Sequence, residues 1–462
     1  MIRLFKHYVP TPLLVLGVIE FLLLMLSGEL AWRLRAEQIG MDSFASTERL
    51  SEVLTYGLVV SLVMLAVGMY EVNGYRSFRE TTTRLLVAFA ISSVALAVIF
   101  FVVPDVALWR SIFLYAALLS FVLILVARSI FARLVNWDRF RRRVFVLGAG
   151  ERAAKLGRID AMPHAGFQIV RYVRMSDSEP TVQDAVPRDA VASFYALAEE
   201  LAVDEIVLAL EERRGALPVA DLLKAKLAGV RVSEMSSFVE RETGRVDLGS
   251  VSPSWLIFSD GFLGSQRASV IGKRVFDVAA SLLLLAVSSP ILIVTAIVIK
   301  LTSPGPVFYL QERVGQFGRS FNVIKFRSMR TDAEKDGTPQ WAQKQDPRVT
   351  PIGRLIRATR IDEIPQIFCV LRGDMSFVGP RPERPFFVRD LAAQIPFYDE
   401  RHVVKPGITG WAQLNYPYGA SVDDARHKLE YDLYYVKNYS LFLDLLILIQ
   451  TVRVVLWRDG VR

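Results

Sequence analysis

Four long apolar runs occupy most of the first 131 residues, and they constrain the fold more than any other feature. They cover roughly Pro12–Trp32, Val53–Tyr70, Leu85–Val103 and Leu108–Phe131. As helices, runs of this length match the hydrocarbon thickness of a bilayer. The first run is too long for a signal peptide and no small-residue cleavage site follows it, so we expect a retained helix. Residues 1–140 are therefore predicted to form a membrane α-helical N-terminal bundle of four helices.

Basic residues between these runs predict the orientation of the bundle. They precede the first run, lie between the second and third, and follow the fourth: Arg3, Lys6, Arg76, Arg79, Arg84, Arg133, Arg139, Arg141, Arg142 and Arg143. By the positive-inside rule, these three segments are cytoplasmic. The formal net charge of +8 is explained by such interface arginines and by a phosphate site, so no nucleic-acid partner is predicted.

Metal and disulfide chemistry is limited by the few residues that support it. Cys369 is the single cysteine, which excludes an internal disulfide and a cysteine-based metal cluster. The four histidines, His7, His164, His402 and His427, are scattered along the chain, which argues against a histidine metal site.

Residues 141–265 change to an alternating strand and helix pattern. "RVFVLGAG" predicts a buried strand that runs into a glycine turn, and "ERAAKLGRIDAM" predicts the helix behind it. Further strands are predicted at "FQIVRYVRM", "DEIVLAL" and "VRVSEM", with helices near 196–201 and 219–228. Such alternation predicts an α/β Rossmann-like middle domain with a small doubly wound sheet.

The glycine turn of this middle domain leaves two interpretations open. Gly148, Gly150 and Ala153 fit the G-x-G-x-x-A pattern, in which the backbone approaches a pyrophosphate at a helix N-terminus. Asp177 is the nearest acidic candidate for a ribose contact. The domain either binds a nucleotide or CoA-like ligand or is structural or regulatory. If it were the catalyst, the protein would be a membrane-anchored nucleotide-sugar oxidoreductase or epimerase.

A fifth apolar run, Val278–Ile299, carries "SSPI" at its centre. Pro290 removes one helical hydrogen bond, and Ser288 and Ser289 can satisfy the carbonyls that are freed. A hairpin that enters and leaves the membrane on one side keeps the last domain on the same side as the middle domain. An ordinary kinked span is the alternative, since proline is common in membrane helices.

The last domain is dense in arginine around the stretch "RIDEIPQ". Arg354, Arg357 and Arg360 are three residues apart, which on a helix predicts one basic stripe. Asp362 precedes Pro365, a pattern typical of a helix N-terminus, where phosphates also bind. The simplest alternative is that Asp362 caps this helix.

The adjacent carboxylates of Asp362 and Glu363 suit a division of labour. Neighbouring helical residues point about 100° apart, so the pair does not flank a glycosidic bond. One carboxylate can attack phosphorus while the other holds a hard cation such as Mg²⁺. The proline-stiffened loop "GDMSFVGPRPER" presents Arg381 and Arg384, which suit phosphate. "KPGITGWAQLN" predicts a loop that contacts a nucleobase or packs as core.

From about Lys273 to Arg462 the chain resembles the bacterial sugar transferase family, the monotopic polyprenyl-phosphate phosphoglycosyl transferases. The matching stretches are "KRVFDVAASLLLL…SSPI", "PGPVFYLQERVG", "FNVIKFRSMRTDAE", "DPRVTPIGRLIRATRIDEIPQ", "LRGDMSFVGPRPE", "KPGITGWAQLN" and "EYDLYYVKN". The layout of four helices, a Rossmann-like domain and a transferase is similar to the large subclass that initiates exopolysaccharide or O-antigen synthesis. "ERETGRVDLGSVSPSWLIFSDGF" is similar to members linked to PEP-CTERM exopolysaccharide systems.

This resemblance implies a reaction and the residues that carry it. A nucleotide diphosphate sugar, usually a UDP-hexose, gives its sugar-1-phosphate to undecaprenyl phosphate and releases UMP. Asp362 falls on the nucleophile, which forms a covalent phosphosugar intermediate, and Glu363 on the Mg²⁺ ligand. The positions expected to bind phosphates or shape the pocket are Lys325, Arg357, Arg360, Arg381, Lys405 and Asp432. Lys405 departs from the family, where arginine is frequent, and "NYPYGAS" replaces the more usual "NGRNA".

The resemblance also fixes the expected architecture and location. Residues 266–462 are expected to form a mostly α-helical monotopic catalytic domain, with a re-entrant membrane helix over 274–300 that breaks at Ser289 and Pro290. The protein is expected in the bacterial cytoplasmic membrane, with the middle and catalytic domains in the cytoplasm, as a homodimer. The apolar run "SLFLDLLILIQTVRVVLW" is expected to lie along the membrane surface, with a core helix as the alternative. A non-enzymatic scaffold is a further alternative function.

Overall fold

The computed structural model describes most of the chain, namely residues 2–4, 7–9, 11–40, 49–70, 78–134, 141–162, 165–175, 181–211, 217–251, 267–331, 333, 348–417, 419 and 421–457. The chain divides into two compact units, whose main parts are Tyr8–Thr243 and Gly244–Arg462. The domain boundaries at 140/141 and 265/266 stay predictions. Val246 and Leu248 nevertheless belong to the hydrophobic core of the second unit.

The first unit begins with two short strands and four apolar helices. These are β1 (Ile2–Leu4), β2 (His7–Val9), α1 (Thr11–Ile39), α2 (Leu50–Ala66), α3 (Phe78–Val102) and α4 (Arg110–Leu134). Leu22, Val94 and Leu118 are among many large apolar side chains that the helices expose, as a lipid-facing surface requires. The predicted α-helical N-terminal bundle is confirmed. By length and composition α1, α3 and α4 can cross a membrane, whereas α2 is a shorter apolar helix.

Two buried charged side chains inside this bundle pair with each other. Glu20 of α1 and Arg128 of α4 are buried, and the Nη2 of Arg128 donates to Glu20 Oε2 at 2.9 Å. The Nη1 of the same arginine donates to the carbonyl of Met69 at 2.9 Å. Charged side chains at such a depth face the bundle interior and pair with one another. The apolar runs alone do not predict this ion pair.

The second half of the first unit, which is the middle domain of the chain, forms the predicted doubly wound sheet. Its strands are β3 (Arg142–Leu147), β4 (Phe167–Arg174), β5 (Ala185–Pro187), β6 (Glu205–Leu208) and β7 (Arg231–Glu234), all parallel, in the order β5-β4-β3-β6-β7. Its helices are α5 (Glu151–Asp160), α6 (Phe194–Glu200), α7 (Val219–Leu227) and α8 (Met235–Thr243).

Strand β3 lies at the centre of this sheet and is buried on both faces. Val144 and Val146 pack into one cluster with Phe238 of α8, while Phe145 and Leu147 pack into another with α6 and α7. Successive side chains of a strand point to opposite faces, so a strand covered by helices on both sides is apolar throughout. This is the reason that "VFVL" lacks alternation.

The second unit combines helices with two small sheets. Its elements are α9 (Arg267–Thr302), β8 (Phe308–Val314), β9 (Ser320–Phe326), α10 (Pro351–Ala358), α11 (Ile367–Arg372), β10 (Ser376–Val378), α12 (Pro385–Gln394), β11 (Gly407–Thr409), α13 (Trp411–Asn415), α14 (Val422–Asn438) and α15 (Leu441–Trp457). β8 and β9 form an antiparallel hairpin, and β10 pairs with β11 in parallel. Helix α9 is long and apolar enough to cross a membrane.

The last helix, α15, packs into the core of this unit. Leu443 and Ile447 are fully buried, and the carboxylate of Asp444 binds Lys273 Nζ at 2.5 Å. Leu445 and Val452 on the same helix are exposed. The core-helix alternative is therefore correct for one face of α15, while the exposed apolar residues leave contact with a membrane surface as a prediction.

Candidate active site

The segment that carries Asp362 is a tight 3-10 turn rather than a capped helix. α10 ends at Ala358, Arg360 adopts a left-handed conformation with φ of 60°, and a 3-10 helix then covers Ile361–Gln366 before α11 begins. The predicted place of Asp362 near a helix N-terminus is confirmed, because Asp362 lies in the first turn of this 3-10 helix, but the alternative that it is the N-cap is wrong. The predicted stripe of three arginines is also wrong. Arg360 lies beyond α10, so only Arg354 and Arg357 share a helical stripe.

The carboxylate of Asp362 is buried and incompletely satisfied. The residue is 8% exposed, and its Oδ1 has no hydrogen-bond partner among the described residues. Burial, followed by the neighbouring Glu363, raises the pKa of Asp362, while Lys325 and Arg357 act in the opposite direction. A buried acceptor without a donor is costly and rare. Such a group is therefore suited to an incoming partner.

Glu363 is held by two cations on one oxygen. Lys325 Nζ donates to Glu363 Oε1 at 2.9 Å, and Arg381 Nη2 donates to the same atom at 2.8 Å. Burial alone would raise the pKa of Glu363, but Arg381 and Lys325 lower it well below the ordinary value. Glu363 is thus ionised at neutral pH, and the two neighbouring carboxylates differ strongly in their environment.

A cavity of about 380 Å³ opens beside Asp362. Two acidic residues, Asp362 and Glu383, line it together with eight basic side chains and a group of aromatic residues. The basic residues are Arg313, Lys325, Arg327, Arg330, Arg348, Arg357, Arg381 and Arg384. Guanidinium groups match phosphate oxygens in a bidentate manner, so this wall can bind a phosphorylated ligand.

Three of the residues predicted to bind phosphates or shape the pocket, Arg360, Lys405 and Asp432, are not among the residues that line the cavity. The Oδ2 of Asp432 forms an ion pair with Arg401 Nη2 at 2.7 Å, and burial raises the pKa of Asp432 to about 6. The ammonium of Lys405 lies near Arg274 and the turn after α11; burial lowers its pKa, as does Arg274. The structure brings Asp362, Lys325, Arg357 and Arg381 together at the cavity, with Glu363 bonded beside it. Arg360 lies outside the lining, with its Nη1 3.9 Å from Glu363 Oε2.

Trp411 packs as core and not against the cavity. Its ring stacks on Tyr434 with centroids 5.8 Å apart, and its Nε1 donates to the carbonyl of Gly244 at 2.7 Å. Of the two alternatives for "KPGITGWAQLN", the structure supports core packing for the tryptophan.

The predicted break in the fifth apolar run lies inside α9. Helical structure continues through Pro290, which removes the donor that would bind the carbonyl of Ala286. Ser289 Oγ donates to this carbonyl at 2.9 Å, and Ser288 Oγ donates to Leu284 O at 2.6 Å. The expected compensation is confirmed for Ser289, whereas Ser288 bonds a carbonyl that Pro290 does not free. The re-entrant path of 274–300 stays a prediction.

Metal binding by protein groups alone finds little support in the described ranges. No group of three or more histidine, cysteine, aspartate or glutamate side chains there could hold an ion. Mg²⁺, however, is commonly bound by one or two carboxylates and by substrate phosphates. Glu363 Oε2, which lies 3.9 Å from Nη1 of Arg360, is a possible ligand of this kind. The site fits a substrate-bridged Mg²⁺ and not a closed protein cage.

The glycine turn of the middle domain serves packing. Gly148 has φ of 133°, and a Cβ there would lie 2.3 Å from the carbonyl oxygen of Ala209. Gly150 lies against the side chain of Glu211, whose Oε1 accepts from the backbone N–H of Arg152 at 3.0 Å. The chain's own carboxylate therefore occupies the first turn of α5, where a pyrophosphate would bind. Asp177, the candidate ribose contact, lies outside the described residues.

Sequence reasoning missed Glu211, Glu383 and Arg401. Glu383 follows directly on the arginine-proline motif, where its basic neighbours are the more obvious candidates for phosphate binding. Arg401 stands in "ERHVV", where nothing distinguishes a buried arginine from an exposed one. Only the contacts of the folded chain identify it.

Comparisons with known proteins match both parts of the chain. A model described as bacterial sugar transferase matches residues 268–458, and one described as CoA-binding domain matches 65–225. A UDP-N-acetylgalactosamine-undecaprenyl-phosphate N-acetylgalactosaminephosphotransferase of Aeromonas hydrophila is 45% identical over 52% of this chain and 56% of its own length. An undecaprenyl-phosphate glucose phosphotransferase of Komagataeibacter xylinus is 36% identical over 68% of this chain and 59% of its own.

A third relative is matched over most of its length. It is a UDP-glucose:undecaprenyl-phosphate glucose-1-phosphate transferase of Caulobacter vibrioides, 41% identical over 46% of this chain and 80% of its own length. The match to the first two relatives covers a little more than half of each.

Proposed function

Because this chain belongs to the bacterial sugar transferase family, we propose that it transfers a sugar-1-phosphate from a nucleotide diphosphate sugar to undecaprenyl phosphate. The donor is a UDP-sugar, as in the names of two of the relatives, and UMP is the second product. The reaction would start the assembly of an exopolysaccharide or another glycan on its lipid carrier.

One observation carries this proposal. The oxygen Oδ1 of Asp362 lacks a hydrogen-bond partner among the described residues, and Asp362 lines a cavity with eight basic side chains. A diphosphate bound by some of these cations would bring its phosphorus to the carboxylate. Neither a scaffold nor a sugar-binding module requires a buried, unsatisfied carboxylate beside a phosphate-binding wall.

The chemistry divides into two displacements at one phosphorus atom. Asp362 Oδ1 attacks the sugar-bearing phosphorus, and the bond from that phosphorus to the bridging oxygen breaks, so that UMP leaves with this oxygen. An oxygen of undecaprenyl phosphate then attacks the same phosphorus and expels the carboxylate of Asp362. No atom is oxidised or reduced, and splitting the transfer in this way lets each substrate react in turn.

The charged residues around Asp362 stabilise the transferring oxygens. Lys325 and Arg357 lie close enough to lower the pKa of Asp362, which keeps its attacking form available. The guanidinium of Arg381 binds Glu363 and lines the cavity, so it is placed to interact with phosphate oxygens. Glu363 Oε2 would hold Mg²⁺ together with the diphosphate. A bound Mg²⁺ would neutralise charge on phosphate oxygens.

The membrane topology follows from the same proposal. Both ends of α9 contact other elements of the second unit. Lys273 Nζ donates to Val378 O at 3.1 Å, and Ile299 packs with Phe326 and Ile356. A straight helix of 36 residues would be about 54 Å long. These contacts support a helix that bends at Ser289 and Pro290 and re-enters. The active site would then lie at the cytoplasmic face of the bacterial inner membrane. A homodimer stays a prediction.

The deciding experiment is UMP release by the purified protein in nanodiscs with Mg²⁺. A panel of UDP-sugars is supplied with and without undecaprenyl phosphate. We expect sustained release with one or a few donors, dependent on the lipid phosphate. Without the lipid, a single turnover per active site is expected, because the carboxylate is then occupied. Absence of release with every UDP-sugar and with other nucleotide donors would refute the proposed function.

A further inference from the structure

The loop that presents Arg381 is fixed at four successive backbone carbonyls, those of residues 380–383. Two backbone amides and two guanidinium groups supply the hydrogen bonds, at 2.9 to 3.0 Å. In order, Pro380 O accepts from Gly407 N, Arg381 O from Arg401 Nη2, Pro382 O from Arg313 Nη1, and Glu383 O from Val314 N. A loop held in this way presents its side chains with little loss of conformational entropy on binding.

Arg401 differs from the other donors because its charge is buried. Its side chain is 6% exposed, against 17% for Arg313. Nη1 donates to the hydroxyl of Tyr398 at 2.8 Å, and Nη2 contacts both Arg381 O and, at 2.7 Å, Oδ2 of Asp432. Asp432 is itself 2% exposed. Taking an arginine and an aspartate out of water is expensive, so such a pair requires a purpose beyond stability.

We infer that Arg401, held in place by Asp432, is a positioning residue that sets the backbone of Arg381 and thereby aims its guanidinium at Glu363 and the cavity. The inference rests on the proposed function for its catalytic consequence. It also gives Asp432 a different role from the one implied by the family resemblance. Asp432 acts through Arg401 and does not touch the substrate.

The requirement for arginine at position 401 follows from its shape. The two terminal nitrogens of the guanidinium contact Tyr398, Arg381 O and Asp432, whereas a lysine ammonium keeps the charge but lacks the fork. Arg401→Lys therefore preserves the buried charge and removes the geometry. Displacing a binding group by about 1 Å can cost about 100-fold in rate.

A double-mutant cycle tests this inference. Arg381→Lys and Arg401→Lys are each expected to lower kcat/KM for UMP release by about 10- to 100-fold. The double variant should be no slower than Arg381→Lys alone, because Arg401 acts through Arg381. Asp432→Asn should behave like Arg401→Lys, and Tyr398→Phe, which keeps the other two contacts, should stay within about threefold of the wild type. Multiplicative losses in the cycle would overturn the inference.

Arg241→Lys is the matched control for the loss of a buried arginine. Arg241 lies in the middle domain, its side chain is 7% exposed, and it contacts Glu205 at 2.7 Å. Any loss of kcat/KM caused by Arg241→Lys should multiply with the loss caused by Arg381→Lys in the double variant. A cycle in which Arg241→Lys is as non-additive as Arg401→Lys would reduce the proposed role to general destabilisation.

A readout without turnover separates this inference from the proposed function. Hydrogen exchange of the amides within residues 376–388 should be at least tenfold faster in Arg401→Lys than in the wild type, and unchanged in Arg241→Lys. Unchanged exchange in Arg401→Lys would refute the positioning role. If the wild type released no UMP with any donor, the proposed function would fail, and the exchange result would still decide whether Arg401 fixes the loop.

Discussion

The two places in this chain that suggest phosphate binding are filled in opposite ways. At the glycine turn after β3, the chain supplies its own anion, because Glu211 accepts from the N–H of Arg152. Beside Asp362 the chain supplies cations, and a buried carboxylate oxygen is left without a partner among the described residues. A glycine pattern indicates that the backbone lies very close to another group. In the middle domain these groups are the carbonyl of Ala209 and the side chain of Glu211.

This comparison bears on the rival interpretation of the protein as an oxidoreductase or epimerase. Such an enzyme needs an open phosphate site at the first turn of α5. The contacts of Gly148 and Glu211 favour a structural or regulatory middle domain. The match over 65–225 to a model described as CoA-binding domain fits the doubly wound sheet.

The largest expected effect comes from Asp362→Asn. This change keeps the shape of the side chain but removes the nucleophile, so UMP release should fall by about 1000-fold or more. In parallel, a UDP-sugar labelled in the sugar-bearing phosphate should label the wild-type protein and leave the variant unlabelled.

Asp390→Asn is the matched control, because Asp390 is an exposed aspartate on α12 of the same unit. It should retain both activity and labelling. Full activity of Asp362→Asn would instead direct attention back to the middle domain.

Gly148→Ala should be a folding variant and not a catalytic one. The new Cβ would meet the carbonyl of Ala209 in a conformation that disfavours side chains, at a cost of about 2 to 4 kcal/mol to the middle domain. The midpoint temperature of thermal unfolding and the resistance to protease should both decrease, while UMP release per folded molecule is retained.

Gly229→Ala separates the cost of backbone strain from the cost of a steric clash. Gly229 also has a positive φ, of 97°, but no atom lies within 4 Å of its added Cβ. Its loss of stability should therefore be smaller, about 1 kcal/mol. Equal losses in the two variants would mean that the close approach to Ala209 contributes nothing.

The pH profile of kcat/KM should reflect the raised pKa of Asp362. Only the ionised carboxylate attacks, so activity falls as pH decreases through this pKa. The acid limb should therefore lie above the ordinary aspartate value of about 3.9. Arg357 lowers the pKa of Asp362, so Arg357→Gln should move the limb to higher pH.

Arg354→Gln serves as the control for this shift. Arg354 is exposed on the same helix as Arg357 and is not among the residues that line the cavity. It should leave the limb where it is in the wild type. An acid limb that does not respond to Arg357→Gln would contradict the assignment of this limb to Asp362.

The smallest effect is expected from Glu211→Gln. Glu211 is about half exposed, so losing its contact with α5 should barely change stability, and UMP release should stay within about twofold of the wild type. Calorimetric titration with NAD and UDP should show no binding that depends on this residue. A tenfold change in turnover or in nucleotide affinity would make the glycine turn a working site.

Much of the fold follows from patterns that are local in the sequence. The four apolar runs, the strand "RVFVLGAG" and the helix behind it depend on hydrophobic periodicity and length, and the structure confirms them. The pairing of Ser289 with the carbonyl freed by Pro290 was predictable too, because donor and acceptor lie three residues apart. Each of these features is determined by neighbours along the chain.

The candidate site was predictable only in part. The charged residues near Asp362 stand in recognisable motifs, and the structure brings Lys325, Arg357 and Arg381 to the same cavity wall. Asp432 stands in an equally recognisable motif, yet it pairs with Arg401 away from that wall. A motif gives the identity of a residue but not the direction in which its side chain points.

The apolar helices, the doubly wound middle sheet and the carboxylate pair at Asp362 and Glu363 are predictable from the sequence alone, because periodicity, length and motif are properties of consecutive residues. Which charges meet depends on the folded chain. Glu20 pairs with Arg128 across 108 positions, Glu211 occupies the glycine turn, and Arg401 connects Asp432 to Arg381. Burial makes an unpaired charge expensive, and the partner that offsets this cost is chosen by distance in space and not by distance along the chain.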